Sequence, residues 1–219
     1  MRTLLLLISI FLSFNVFAIN VGPISIFMSP ERNEVSREIK NETEQARLVT
    51  VSVSRISSPE EGGRRVNADL DGELLLSPSR LILPGNSKNN VRFFYNGIVD
   101  DKERYYRITW TETGLSLQHE STESRQAVAT TSAVISTILV VSPRKSKLDY
   151  AFDNGVLINK GNSSYRVVAY GICSDDPTKK CKEVYYDMPG KNRTFKKVNV
   201  SNQKGHIGIW FAGRFIIVK

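Results

Sequence analysis

Apolar and polar residues alternate at a period of two over much of the chain, most cleanly at Leu48-Val49-Thr50-Val51-Ser52-Val53-Ser54. Such alternation predicts half-buried antiparallel strands with one face on a core and the other in water. The same reading predicts strands at residues 21–27, 36–40, 73–76, 91–95 and 105–111, separated by turns rich in Pro and Gly. Seven or so short strands of this kind imply an all-β, immunoglobulin-like sandwich. No internal repeat, low-complexity tract or long helical period interrupts the pattern.

Residues 127–143 depart from it. The run Ala-Val-Ala-Thr-Thr-Ser-Ala-Val-Ile-Ser-Thr-Ile-Leu-Val-Val-Ser-Pro carries no charge. It is much longer than the five or six residues of an ordinary strand. Small and β-branched residues suit a densely packed sheet, so this strand reads as one that another protein helps to bury. Directly after it, Ser142-Pro143-Arg144-Lys145-Ser146 breaks the pattern, which predicts a domain boundary between 19–143 and 144–219. The second domain repeats the strand pattern at 148–152, 156–159, 165–173, 184–188, 194–198 and 207–218, and Asn154-Gly155 predicts a tight hairpin turn.

The first residues set the compartment. Arg2 precedes an apolar run from Leu4 to Leu12, and Val16-Phe17-Ala18 is small at both positions a signal peptidase reads, so residues 1–18 are expected to be a cleaved signal peptide. The apolar run stops short of the roughly 20 residues that a membrane anchor needs. Loss of Arg2 lowers the formal charge from +8 to +7. A basic chain attracts acidic partners, but no stripe of alternating aromatic and basic residues points to nucleic acid. The two cysteines, Cys173 and Cys181, flank a turn-forming Asp-Asp-Pro-Thr run and are expected to form a disulfide in an oxidising compartment. Closing so short a loop is worth about 2–3 kcal/mol. His119 and His206 lie far from that pair in sequence, so a zinc site fails on ligand count and no metal or cofactor is expected.

Catalytic patterns find no support. Asp69, Asp71 and Glu73 flank Gly72 and read as a turn, and Ser163-Ser164, Ser201 and the two histidines form no nucleophile–base motif. The chain is read as no enzyme.

Two stretches then carry a resemblance. Glu73-Leu-Leu-Leu-Ser-Pro-Ser-Arg-Leu-Ile-Leu-Pro-Gly, continuing to Val91-Arg92-Phe93-Phe94-Tyr95, and Asp101-Lys-Glu-Arg-Tyr-Tyr-Arg-Ile-Thr-Trp110 resemble periplasmic pilus chaperones of the chaperone–usher pathway. Gly171, Cys173, the Tyr185-Tyr186-Asp187-Met188-Pro189-Gly190 run and the Ile216-Ile217-Val218-Lys219 end most resemble the alternate class that serves the common pilus. The resemblance spans the whole mature chain. It implies two immunoglobulin-like domains in a boomerang and a periplasmic location. It also implies partners: pilus subunits, both pilin and tip adhesin, and an outer-membrane usher. Such a subunit lacks its last strand, and the chaperone lends its own seventh strand to the open groove, a form of β-augmentation. A free chaperone is expected to shield that strand by self-association.

Aligning Pro143 with the proline that follows the family's seventh strand makes Ala129, Thr131, Ala133 and Ile135 the donor residues. They are smaller than the bulky donors common in the family, so either the groove is shallow or the register shifts to include Val128. The family holds the subunit's terminal carboxylate with two cations. At the corresponding places this chain has Ser25 and Ile138, neither of them cationic. Arg107 is the expected substitute, because Tyr106, Ile108 and Trp110 form the better core face and leave Arg107 opposite; Arg92 is the second candidate. The polar loop 114–125, with His119, Glu120, Glu123 and Arg125, reads as a hairpin tip. The competing reading is a secreted structural pilus subunit or adhesin. It would need an N-terminal donor extension, for which Ile19-Asn20-Val21-Gly22-Pro23 leaves little room.

Overall fold

The computed structural model describes residues 19–115 and 132–219. The expected signal peptide and the polar loop residues His119, Glu120, Glu123 and Arg125 lie outside them. Every regular element among the described residues is a strand. The first eight are β1 (Ser25–Met28), β2 (Glu34–Lys40), β3 (Arg47–Ile56), β4 (Leu74–Ser77), β5 (Arg80–Leu83), β6 (Lys88–Tyr95), β7 (Arg104–Gly114) and β8 (Ser132–Val141). They form two layers, β1-β8-β7-β3-β5 and β2-β6-β4. Among the described strands only β1 runs parallel to its neighbour, β8. Period-two alternation turns one side of each layer inward, so Tyr106, Ile108 and Trp110 of β7 meet Val91 and Phe93 of β6 in a dry core. The Phe93 and Trp110 rings pack edge to face with centroids 6.2 Å apart. The Trp110 indole donates to Thr137 Oγ1 at 2.9 Å, which gives its one polar atom a buried partner.

The remaining strands are β9 (Tyr150–Asp153), β10 (Val156–Asn159), β11 (Tyr165–Ile172), β12 (Lys180–Asp187), β13 (Asn192–Thr194), β14 (His206–Phe211) and β15 (Arg214–Ile217). They pair as β13-β10-β9 and β12-β11-β14-β15 around a second core built on Leu157, Tyr165, Val167, Ile207 and Ile209. The two cores share no residue. Cys173 and Cys181 are joined, with Cα atoms 4.9 Å apart, and tie the end of β11 to β12.

Several expectations need correction. The strand expected at 207–218 is a hairpin, β14 and β15, because Ala212 and Gly213 both take positive φ, 47° and 73°, in the two-residue turn between Phe211 and Arg214. The expected strand at 194–198 is short and ends at Thr194, and β5 was not expected at all. Regular pairing of the first strand starts only at Ser25. Before it, Asn20 exchanges two 2.8 Å backbone hydrogen bonds with Lys40 of β2, and the chain crosses to the other layer through Gly22, at φ 72°, and Pro23.

The acidic group does turn, as expected, with Glu73 N donating to Leu70 O at 3.2 Å, but its last member, Glu73, is 2% exposed and arginines close around it. Arg104, 2% exposed, donates to Asp69 and to both oxygens of Asp100 at 2.7 Å. Arg55 lies 2.9 Å from Asp69 and 3.3 Å from buried Glu73, which also accepts from Tyr106 Oη at 2.8 Å. The Arg104 hydrogen bonds hold the Asp100 carboxyl down, at about 2 against 3.8. A carboxylate with a depressed folded-state pKa adds stability above its unfolded value and loses it as pH falls through the folded one. Part of the chain's stability should therefore disappear between about pH 4 and pH 2, as followed by urea unfolding. Arg104→Met, which leaves the partly buried Asp100 carboxylate without its cation and Asp69 with Arg55 alone, should cost about 3 kcal/mol at neutral pH in the same assay and flatten that acid limb.

Candidate functional site

The outward face of the larger first-domain sheet is set by unbroken pairing. β7 and β8 match over ten residues, from Arg104↔Val141 to Thr113↔Ser132, and β1 continues the rows with Ser25↔Ile138 and Phe27↔Val140. Residues paired across strands share a face. Phe27, Val140 and Tyr105 therefore form one outward row, and Ser25, Ile138, Arg107 and Ser54 form the next, one step further from the linker.

The second domain meets this face. Phe27 stacks on Tyr186 with ring centroids 4.6 Å apart. Tyr186 belongs to a row of its own, Tyr186, Arg166, Trp210 and Phe215, on the outer face of the four-stranded sheet. Between the domains lies a cleft of about 310 Å³ lined by Phe27, Ser29 and Ser142 on one side and Arg166, Tyr186 and Trp210 on the other. Arg166 sits over the Trp210 ring at 5.4 Å.

Glu103 latches the two domains at the base of the cleft. Its carboxylate accepts from Ser164 N and Ser164 Oγ, both at 2.6 Å, from Ser163 Oγ at 3.3 Å and from Tyr105 Oη at 2.7 Å. Burial pushes this carboxyl up against the opposing pull of the Ser164 hydrogen bonds. Asn162 Nδ2 adds a 2.9 Å bond to Asp101 O. Across the linker, Arg144 donates to Ser29 O and Pro30 O at 2.9 and 3.0 Å while lying over the Tyr95 ring.

Residues 148–218 match the EcpB C-terminal domain family. Two Escherichia coli proteins, from strains O157:H7 (EC4115 / EHEC) and K12, are each called probable fimbrial chaperone EcpB. Both are 44% identical over 203 residues, covering 92% of this chain and 91% of theirs. The chain belongs to the EcpB family of fimbrial chaperones. Its fold agrees with that of solved fimbrial chaperones. The periplasmic chaperone SfaE has a TM-score of 0.53 at 12% identity, covering 91% of this chain and 98% of that one, and the class 5 fimbriae chaperone CfaA has 0.52 at 16%, covering 91% and 97%. As a fimbrial chaperone the protein is periplasmic, and the role of its family is not an enzymatic one.

The chaperone's expected site residues fall into separate groups. Ala133 and Ile135 are half-buried and lie on the inward side of β8, with Thr137, Leu139 and Val141 following on that side. Ala129 and Thr131 lie outside the described residues. Arg107 is half-buried on the outward row beside Ser25 and Ile138, and among the described residues its guanidinium has no hydrogen-bonding or ionic partner. Arg92 is not brought to this face. It belongs to β6 in the opposite layer, where its side chain is 62% exposed and 3.7 Å from Glu34. Arg166 was missed, although the core residues Tyr165, Val167 and Ala169 on either side of it already assign it to the outer face of β11 by parity.

Glu103→Ala should leave the part-buried Ser164 N–H without an acceptor, a loss of about 1–3 kcal/mol at the domain contact. The chaperone's radius of gyration in small-angle X-ray scattering should rise and proteolysis within 142–149 should quicken, with Glu103→Gln close to wild type. An unchanged profile in Glu103→Ala would assign the domain contact to the other links, the Phe27–Tyr186 stack and the Asn162–Asp101 and Lys191–Glu60 bonds, instead.

Proposed function

We propose that the chaperone binds pilus subunits, pilin and tip adhesin alike, by lending them the hairpin half of β8, and then delivers them to an outer-membrane usher. One observation carries this reading: β8 runs off its own core. Leu139 and Thr137 are buried, Ile135 and Ala133 on the same face are only partly covered, and Val134 on the other face is 65% exposed. An exposed strand of this kind is an aggregation hazard unless a partner uses it. An open pilin groove needs both backbone partners and apolar side chains, and β-strand addition, the mode known from chaperone–pilin pairs, supplies both. Because Ala133 and Ile135 continue the face that fills the first core, subunit and chaperone would share one apolar layer.

In this reading Ala129, Thr131, Ala133 and Ile135 insert into the subunit, and Arg107 holds its terminal carboxylate. Arg107 lies in the same outward row as Ser25 and Ile138, one strand over, and has no competing acid among the described residues. A guanidinium grips a carboxylate with two parallel hydrogen bonds, which suits it to the role. Arg166, in the cleft wall, can share the load. The functional division at residue 143 is supported by the two separate cores. Release by strand exchange requires no cofactor, metal, nucleic acid or catalysis. Self-association of the free chaperone would cover the same strand.

Co-expression in a bacterial periplasm with a pilin encoded beside it, followed by purification of the chaperone, tests the reading. A one-to-one complex is expected with wild type. Arg107→Ala should weaken it about tenfold or more, the effect of losing a charge-assisted pair. Ala133→Asp should abolish it by burying an unpaired carboxylate, and Val134→Asp should leave it intact. The reverse pattern at 133 and 134 moves insertion to the even-numbered face. A complex indifferent to Arg107→Ala removes that residue from the anchor, and the absence of any complex sinks the function.

A further inference from the structure

Glu112 has no part in the site described so far. It lies near the end of β7, in register with Val49 of β3 and Ala133 of β8, and only 3% of it is exposed. Its Oε2 accepts a hydrogen bond from the backbone nitrogen of Ile19 at 2.9 Å, and Ile19 is equally buried. Among the described residues no Lys or Arg side chain reaches this carboxylate. A buried carboxylate without a positive partner is costly, which is why such groups are nearly always paired. The contrast with Glu73 is plain, since that buried acid has Arg55 beside it.

Ile19 also follows Val16-Phe17-Ala18, where signal peptidase is expected to cut. Hydrolysis adds water across the Ala18–Ile19 peptide bond. The leader departs with a carboxylate on Ala18, and the nitrogen left on Ile19 takes up a proton. A neutral amide with one N–H becomes an ammonium with three N–H donors and a positive charge, at the atom that already faces Glu112.

We infer that Glu112 is a receptor built into the first domain for the chain's own processed amino terminus, and that removal of the leader supplies the missing cation of a buried ion pair. The placement of the neighbours fits this role. Asn20 is held by its two backbone hydrogen bonds to β2, and Val21 is buried in the core, so the terminal nitrogen has little freedom to leave. The pair links the layer of β2 to the layer of β7 at the root of the lent hairpin, where Ser132 Oγ bonds Glu112 O at 2.9 Å. Uncleaved precursor keeps the buried acid without its cation and is the less stable form. The inference rests on cleavage after Ala18 and is independent of subunit capture.

Three readings on protein purified from the periplasm test it. Mass spectrometry should find Ile19 as the first residue; a different terminus overturns the inference. Brief acetylation of the folded protein at pH 7 should label the Ile19 amine about tenfold more slowly than in Glu112→Gln, the protection expected of a group released only by local opening; equal rates overturn it. Thermal unfolding then compares the processed protein with a form carrying Gly-Ser ahead of Ile19, each with and without the Glu112→Gln substitution. That substitution should lower the midpoint of the processed form by about 4 °C or more and leave that of the extended form unchanged or higher. Equal losses in both assign Glu112 an ordinary structural role. Should Glu112→Gln fail to fold, the extended form with Glu112 intact still decides: its midpoint must lie below that of the processed protein.

Discussion

Ten consecutive antiparallel pairs between β7 and β8 set the positions of Arg107, of the exposed half of β8 and of Glu112. Side chains alternate across a sheet, so the register that turns Tyr106, Ile108 and Trp110 inward also turns Arg107 outward beside Ile138 and brings Glu112 to the core edge next to Ala133. A slip of one residue would exchange the two faces of β8 along its whole length. It would bury Ser136, expose Leu139 and take Thr137 away from the Trp110 indole. The cost of those exchanges specifies the register far more firmly than the β-prone but monotonous sequence of β8 does.

The linker end of the same ladder is where charge concentrates. Arg104, its terminal residue, is gripped by Asp69 and Asp100, while Glu103, one residue before it, reaches across to Ser163 and Ser164. Two adjacent side chains thus serve different purposes, one closing the base of the first domain and the other holding the second. Arg144 on the chain between them stacks on Tyr95 and binds Ser29 and Pro30. Most of the polar contacts that orient the domains come from this small region, and the Lys191–Glu60 ion pair and the apolar Phe27–Tyr186 stack add to them.

Much of this was legible in the sequence, because period-two alternation reports directly on which residues face a core. β3, β7 and β10 were placed by it, as was the outward direction of Arg107. The features that escaped depend on distant partners. Glu73 reads as a turn acid until Arg55 and Tyr106 are brought against it. Ala212 carries no signal for the left-handed backbone it adopts, so one hairpin was read as one strand. Arg92 and Arg107 look alike in their local patterns and differ only in the layer to which their strands belong. The outer face of Arg166 could be read by parity, but that this face lines a cleft follows only from the position of the other domain.

The parallel pairing of β1 with β8 has a consequence for biogenesis. Ser25 finds its strand partner at Ile138, more than a hundred residues later in the chain. A polypeptide threaded through a membrane from its amino end delivers β1 early and β8 late, and contacts of such long range are slow to form. The first strand must wait in the periplasm, unpaired, until most of the first domain has followed it. A protein that protects the unfinished sheets of others therefore has an unfinished sheet of its own until late in its synthesis, because the partner of its first strand is the strand it lends.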